Sequence, residues 1–358
     1  MTMKMPVRIL LIILCAALIL ALPFTVSSPN MLNDIKMELM NDEGDEDEID
    51  FGRLLFSAAM AEEDSETEEN DSDDLEIEDL KEGEFSFHPE WKLPLDFTPG
   101  QVPNPDLYTQ DGYEDETIRV KLEHQEMDDG TKIHTAYVQI ADPSQLRTAV
   151  GNPDKLGSTR GKAVSTIAKA SNAVIAINGD NYTDEPRKTT FEYRMTKRIR
   201  SKGNKQKDIL IIDDQGDFHL FVQSKGIKEF PEQLKKEGRI LVNAFTFGPA
   251  LVKDGKLLEL NKNYGYNPGG REPRTAIGQT GPLSYVLVIV EAKARDGKSG
   301  FSQEKLAEYM YSIGCVQAFN LDGGNSAEMV FGNQIIKGMP GGDERTLSDI
   351  IYFATAQQ

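Results

Sequence analysis

The sequence predicts a mixed α/β domain, a central mixed β-sheet with flanking helices. Three observations predict it. Ser284 to Glu291 is apolar without alternation, as a strand covered on both faces must be. A helical stretch, Gln303 to Ile313, follows it behind a Ser302 cap and leads into a second apolar run, Cys315 to Leu321. Strand, helix and strand make a parallel crossover, which puts Glu291 and Asp322 at one edge of the sheet. Short apolar runs joined by Asp214-Gln215-Gly216-Asp217, Lys253-Asp254-Gly255-Lys256 and Gly332-Asn333 add hairpins.

The chain divides into residues 1–28, 29–86 and 87–358. Lys4 and Arg8 precede an unbroken apolar run from Ile9 to Leu22, the pattern of a signal peptide or membrane anchor. Val26-Ser27-Ser28 stands directly before Pro29, a poor cleavage position. This favours an uncleaved anchor in the cell membrane with an extracellular domain; cleavage would make the protein secreted. Residues 41–84 hold 21 Asp and Glu against Arg53 and Lys81, nearly all of the formal net charge of −20. The acidity therefore belongs to a linker, which is expected to be disordered, and says nothing about the charge of a substrate.

Several functions are excluded. Cys15 and Cys315 are the only cysteines, one in the apolar segment and one in an expected core strand, so neither a disulfide nor a thiolate metal site is expected. His88, His124, His134 and His219 are scattered without ligand spacing. No Gly-x-Ser-x-Gly elbow, phosphate-binding loop or dinucleotide fingerprint occurs. The basic run from Lys197 to Lys202 lacks interleaved aromatics, so no nucleic-acid partner is expected. No cofactor is required; calcium is the one cation that exposed carboxylates outside the cell could take up, although no EF-hand spacing exists.

In order, residues 87–130 contain Pro94, Pro99, Pro103 and Pro105 and read as an extended lead-in. Ala136 to Ala141 alternates like a strand, Arg160 to Ser171 reads as a helix, and Ala173 to Ile177 is a buried strand ending on Asn178-Gly179-Asp180. Residues 183–207 are polar and cationic, a flap or a solvated excursion. Phe230 to Glu237 is a short helix or turn, and Ala244 to Val252 runs into the next hairpin. Arg271 and Arg274 then stand three apart before a strand. This suits bidentate capture of a phosphate or carboxylate, or else a solvated loop. The Cys315–Leu321 run ends on Asp322-Gly323-Gly324-Asn325-Ser326-Ala327-Glu328, either a ligand corner or a tight turn. Gly341 to Ser348 is a polar loop before the last strand, Asp349 to Ala354.

Three segments together are specific where each alone is not. Ala176-Ile177-Asn178-Gly179-Asp180, Pro273-Arg274-Thr275-Ala276-Ile277-Gly278 and Asn320-Leu321-Asp322-Gly323-Gly324-Asn325-Ser326 occur in that order. With Glu344-Arg345 before the last strand, the chain closely resembles the phosphodiester glycosidase family from about residue 130 to its end, in a membrane-anchored bacterial form. The resemblance implies a mixed α/β fold and hydrolysis of a sugar 1-phosphodiester at the glycosidic C1–O bond, acting on sugar phosphodiesters or cell-surface glycans. A phosphomonoester leaves readily, so the charges to be stabilised are those of the phosphate and of an oxocarbenium-like sugar. Arg274, assisted by Arg271 or Arg345, is accordingly expected at the phosphate. Asp322 is the first choice for nucleophile or base, with Asp180 and Glu328 as alternatives. Asn178, Gly179, Asn320, Gly323, Gly324, Asn325 and Ser326 are expected to hold sugar hydroxyls or orient the carboxylates.

The chain departs from the family pattern at two places. Asn325 stands where many members carry a third glycine, with Ala327-Glu328 in place of a Ser/Thr pair. Glu291-Ala292-Lys293 replaces the usual Asp-Gly-Arg, with Arg295-Asp296-Gly297 displaced. These departures motivate the alternative of a non-catalytic glycan-binding or exopolysaccharide-assembly protein.

Overall fold

In the computed structural model the described residues are Phe85, 89–158, 161–180, 191–293, 297–332, 334–338 and 343–358. The expected anchor and nearly all of the acidic linker lie outside them. Among the described residues no helix is long and apolar enough to cross a membrane.

Three antiparallel sheets carry the fold. The first runs in the order β1 (Gly112–Glu114), β2 (Ile118–Glu126), β3 (Lys132–Ile140), β15 (Ser284–Glu291), β14 (Arg274–Gly281), β16 (Gln317–Leu321), β12 (Ala250–Lys253) and β13 (Lys256–Leu257). The second is β10 (Phe218–Phe221), β9 (Ile209–Asp213), β11 (Leu241–Phe245), β7 (Phe191–Arg194) and β8 (Lys197–Ser201). The third is β18 (Gln334–Lys337), β17 (Glu328–Phe331), β6 (Ala173–Asn178), β20 (Asp349–Ala354) and β4 (Leu146–Val150). A ribbon pairs β5 (Lys162–Ala163) with β19 (Thr346–Leu347).

Strand periodicity explains how these sheets pack. Leu287, Ile289 and Phe319 of the first sheet, Leu210, Ile212 and Phe245 of the second, and Ile175, Ile177, Ile351 and Phe353 of the third share one core. The alternate residues face outward, and each sheet carries a helix there. Val286, Val288 and Val290 pack with Leu306 and Met310 of α3 (Gln303–Ser312). Ala176, Ile350 and Tyr352 meet Val164 and Ile167 of α1 (Val164–Ala170). Ile209, Ile211 and Ala244 meet Leu234 of α2 (Phe230–Lys236). Burial on both faces is why β15, β9 and β20 read as continuous apolar runs.

The expected crossover is present. β14 lies between β15 and β16 and is antiparallel to both, so β15 and β16 run parallel; Arg274 pairs with Val290 and Thr275 with Leu321 at the shared edge. Ser302 caps α3, its hydroxyl accepting from the Lys305 amide at 3.1 Å.

Three expectations are corrected. The lead-in contains β1 and β2, which pair onto β3 because their inward residues Ile118, Val120 and Leu122 belong to the core. The helix expected from Arg160 begins only at Val164, because residues 162–163 pair with β19. Within residues 183–207, β7 and β8 form a hairpin in the second sheet, while residues 183–190 lie outside the described ones. Ala244 to Val252 runs into the expected hairpin of β12 and β13, the chain leaving the second sheet at Phe245 and entering the first at Ala250.

Candidate active site

The three motifs meet where connections between the sheets meet, and the Asn178 side chain ties them together. Its amide nitrogen donates to the Asp322 carbonyl at 2.7 Å, and its amide oxygen accepts from the Thr275 hydroxyl at 2.8 Å and the Glu328 backbone amide at 3.1 Å. One buried side chain thus joins the end of β6 to the start of β14 and to both ends of the Asp322–Ala327 connection.

Gly179 packs so tightly that an added Cβ would lie 2.5 Å from Asp349 Oδ1. Gly323 is likewise pressed onto the Pro273 carbonyl, 2.7 Å from its would-be Cβ, and the Gly324 amide donates to that carbonyl at 2.8 Å. Asn320 donates to the Gly248 carbonyl at 2.7 Å, while its own amide oxygen is buried with no hydrogen-bond partner among the described residues. Asn325 is exposed and Ser326 buried.

Asp180 is buried, and its carboxylate accepts from the Thr246 amide at 2.7 Å and the Phe247 amide at 3.2 Å, both in the link from the second sheet to the first. Behind it stand Glu192 and Arg194, which the sequence reading missed. All four side chains of the group Asp180, Glu192, Arg194 and Asp349 are 0% exposed. The Arg194 guanidinium bonds Asp349 through Nε, lies 3.0 Å from Glu192 and 3.7 Å from Asp180, and sits 4.0 Å over the Phe245 ring. Burial, with Asp180 beside it, drives the Glu192 carboxyl well above its usual range, against the pull of the Arg194 charge.

Asp322 is half-buried. Burial pushes its carboxyl up to about 6; the Ser326 hydroxyl bond and the Arg345 charge pull the other way, and Asp180 adds to the rise. Exposed Arg345 donates to Ser326 Oγ at 2.9 Å, so guanidinium, hydroxyl and carboxylate form a chain.

Glu328 is buried, and burial together with a hydrogen bond to Glu344 raises it to about 8. Glu344 is itself fixed by the Ser165 amide at 3.1 Å and hydroxyl at 2.8 Å. A carboxyl raised from 4.5 to about 8 on folding keeps its proton where the unfolded chain has lost it, so its contribution to stability is lost as pH rises through 8. Glu328→Gln is therefore expected to flatten the decline in urea-unfolding free energy between pH 5 and 9 by about 1–2 kcal/mol.

Arg274 is placed differently from the expectation of a phosphate-facing side chain. Its guanidinium is buried and donates to the carbonyls of Phe301 at 2.9 Å, Tyr266 at 3.1 Å, Asn267 at 2.8 Å and Gly270 at 2.9 Å. Burial lowers it to about 10. Its backbone adjoins Gly323, yet its charge is spent on clasping a loop in which Tyr266 (φ 56°) and Asn267 (φ 51°) are left-handed. That conformation costs each residue about 1–2 kcal/mol. Arg271 is also committed, to the Asp129 carboxylate and to the Gly300 carbonyl at 3.1 Å.

The clasped loop holds Tyr266 near the acids. Its ring stacks on Phe247 with centroids 4.0 Å apart and planes 16° from parallel, and the Lys207 ammonium lies 4.1 Å from its centroid. Burial first, then Asp180, Asp322 and Glu192, pushes the phenol far above its usual range.

Two of the histidines expected to be scattered do meet across β2 and β3. His124 Nδ1 lies 2.6 Å from His134 Nδ1, and His134 Nε2 lies 2.8 Å from Glu291 Oε1. No group of three or more metal-ligating side chains occurs among the described residues.

SPbeta prophage-derived uncharacterized protein YomE of Bacillus subtilis (strain 168) is 26% identical over 200 residues, 54% of this chain and 30% of that protein. The chain thus spans under a third of that relative's length. The catalytic domain of zebrafish N-acetylglucosamine-1-phosphodiester alpha-N-acetylglucosaminidase superposes with a TM-score of 0.52 at 15% identity, covering 71% of this chain and 87% of that one, a likeness of fold. A hypothetical protein from Synechocystis gives a TM-score of 0.41 at 16% identity over 66% of this chain and 62% of that one. The family profile described as phosphodiester glycosidase matches residues 171–354, just over half of the 358 residues and all three motifs. The chain belongs to the phosphodiester glycosidase family.

Proposed function

We propose that the protein hydrolyses the glycosidic C1–O bond of sugar 1-phosphodiesters of the N-acetylglucosamine-1-phosphate type, freeing the sugar and leaving a phosphomonoester. The observation that carries this reading is Asp322, a half-buried carboxyl that burial pushes up to about 6, bonded to Ser326, which Arg345 also bonds, and within reach of the Asp180 charge. Water bonds to C1 as the C1–O bond breaks with its electron pair on the phosphate oxygen. Asp322 accepts the water proton, or first bonds to C1 itself; retention or inversion at C1 separates the two. Exposed Arg345 is the guanidinium available to neutralise the phosphate. The basic flank and apolar run from Lys4 to Leu22 support an exported, membrane-held placement, with cell-surface glycans among the substrates.

Incubation of the full-length chain with a GlcNAc-1-phosphate diester of p-nitrophenol or mannose is expected to release free GlcNAc. Binding of the diester with no release between pH 5 and 9 would overturn the proposal in favour of a non-catalytic glycan-binding or exopolysaccharide-assembly role. Arg345→Met is expected to raise KM roughly 10- to 100-fold, the worth of a charge-assisted hydrogen bond. Because Arg345 helps to keep Asp322 ionised, the same variant should also move the acid limb of kcat/KM above pH 6.

A further inference from the structure

We infer that Tyr266 is a specificity-determining residue whose phenol hydroxyl donates to a hydroxyl of the substrate's sugar ring, and that Arg274 is the positioning residue that delivers it. The inference rests on the proposed sugar phosphodiester substrate, and geometry supports each part.

Tyr266 and Asn267 are consecutive non-glycine residues in the left-handed region, a conformation that persists only where surrounding structure imposes it. The Arg274 clasp imposes it, through carbonyls at both of these residues and at Gly270. The four hydrogen bonds that Arg274 makes all go to main-chain carbonyls; what it determines is where Tyr266 stands. The Tyr266 ring is fixed in turn by Phe247, whose backbone amide is one of the two that hold Asp180. Ring and carboxylate are therefore registered on the same two residues, Thr246 and Phe247.

The phenol hydroxyl is half-buried and makes no hydrogen bond among the described residues. Asp180, Asp322 and Glu192 are close enough to act on it electrostatically. The Lys207 ammonium lies over the ring, 4.1 Å from its centroid, while at the hydroxyl an uncharged sugar hydroxyl would meet a neutral donor and nearby carboxylate acceptors. The phenol thus suits the sugar, and Arg345 the phosphate.

Calorimetric binding of GlcNAc-1-phosphate and a series of its monodeoxy analogues to the full-length protein tests the inference without turnover. Tyr266→Phe keeps the ring stack and is expected to weaken binding of the parent sugar about 3- to 10-fold, the range of one neutral hydrogen bond. One deoxy analogue should bind the wild type more weakly by the same factor, yet bind wild type and Tyr266→Phe equally. Arg274→Gln, with its unfolding midpoint measured alongside, should reproduce the loss by releasing the loop. If Tyr266→Phe binds the whole series as the wild type does, the inference falls. If a folded Arg274→Gln binds normally, the positioning role falls. Wild-type binding that discriminates among the sugars while no diester is ever cleaved would instead count against the hydrolase proposal and leave Tyr266 testable.

Discussion

Asp322→Asn is expected to lower kcat for sugar release on the order of 10³-fold while changing KM little. The side chain is nearly isosteric, and its amide can still receive the Ser326 hydroxyl, so substrate binding should survive. What disappears is a carboxylate able to take a proton from water or to bond to C1, a loss typically in the range of 10² to 10⁴. The wild type should lose kcat/KM as pH falls through about 6, because the working form is the ionised one. Steady-state kinetics across pH 4.5 to 9 checks both points. A residual rate within tenfold of wild type would move the chemistry to Asp180 or Glu328.

The largest expected effect on stability belongs to Arg194→Met. The substitution takes from the Asp349 carboxylate and its neighbours Asp180 and Glu192 the guanidinium that bonds them, in a group whose side chains are 0% exposed. Removing one partner of a buried ion pair typically costs about 3–5 kcal/mol. Urea unfolding at pH 7 should show that loss. The double variant Arg194→Met/Asp349→Asn should recover part of it, because the stranded charge is then gone. A single variant within 1 kcal/mol of wild type would mean that the cluster relaxes without its cation.

Much of this was legible in the sequence, for physical reasons. β15 and β20 betray themselves because burial on both faces makes Tyr285 to Val290 and Ile350 to Ala354 unbroken apolar runs. The Ser302 cap and the Gly332-Asn333 and Asp254-Gly255 turns are local chemistry, which sequence displays directly. The three motifs converge because two of them end strands, β6 and β16, where the third begins β14. The Glu192 and Arg194 pair was hidden. Phe-Glu-Tyr-Arg alternates as an edge strand would, and Phe191 and Tyr193 do pack against the α2 side. The charged face nevertheless turns inward, and what permits this is Asp349, 155 residues away. Arg274 misled for a related reason. An arginine suited to gripping phosphate oxygens is equally suited to gripping carbonyls, and only the loop's path decides between them.

The Asn178 amide joins strands of the first and third sheets, while Asp180 is anchored by main chain leaving the second. No single sheet contains the reactive corner. A partly folded chain holding any two of the three would be catalytically silent, however much secondary structure it had regained. Sugar release thus offers a reporter of complete tertiary assembly, and after dilution from denaturant it should return with the last sheet to dock rather than with the first hydrogen-bonded strands.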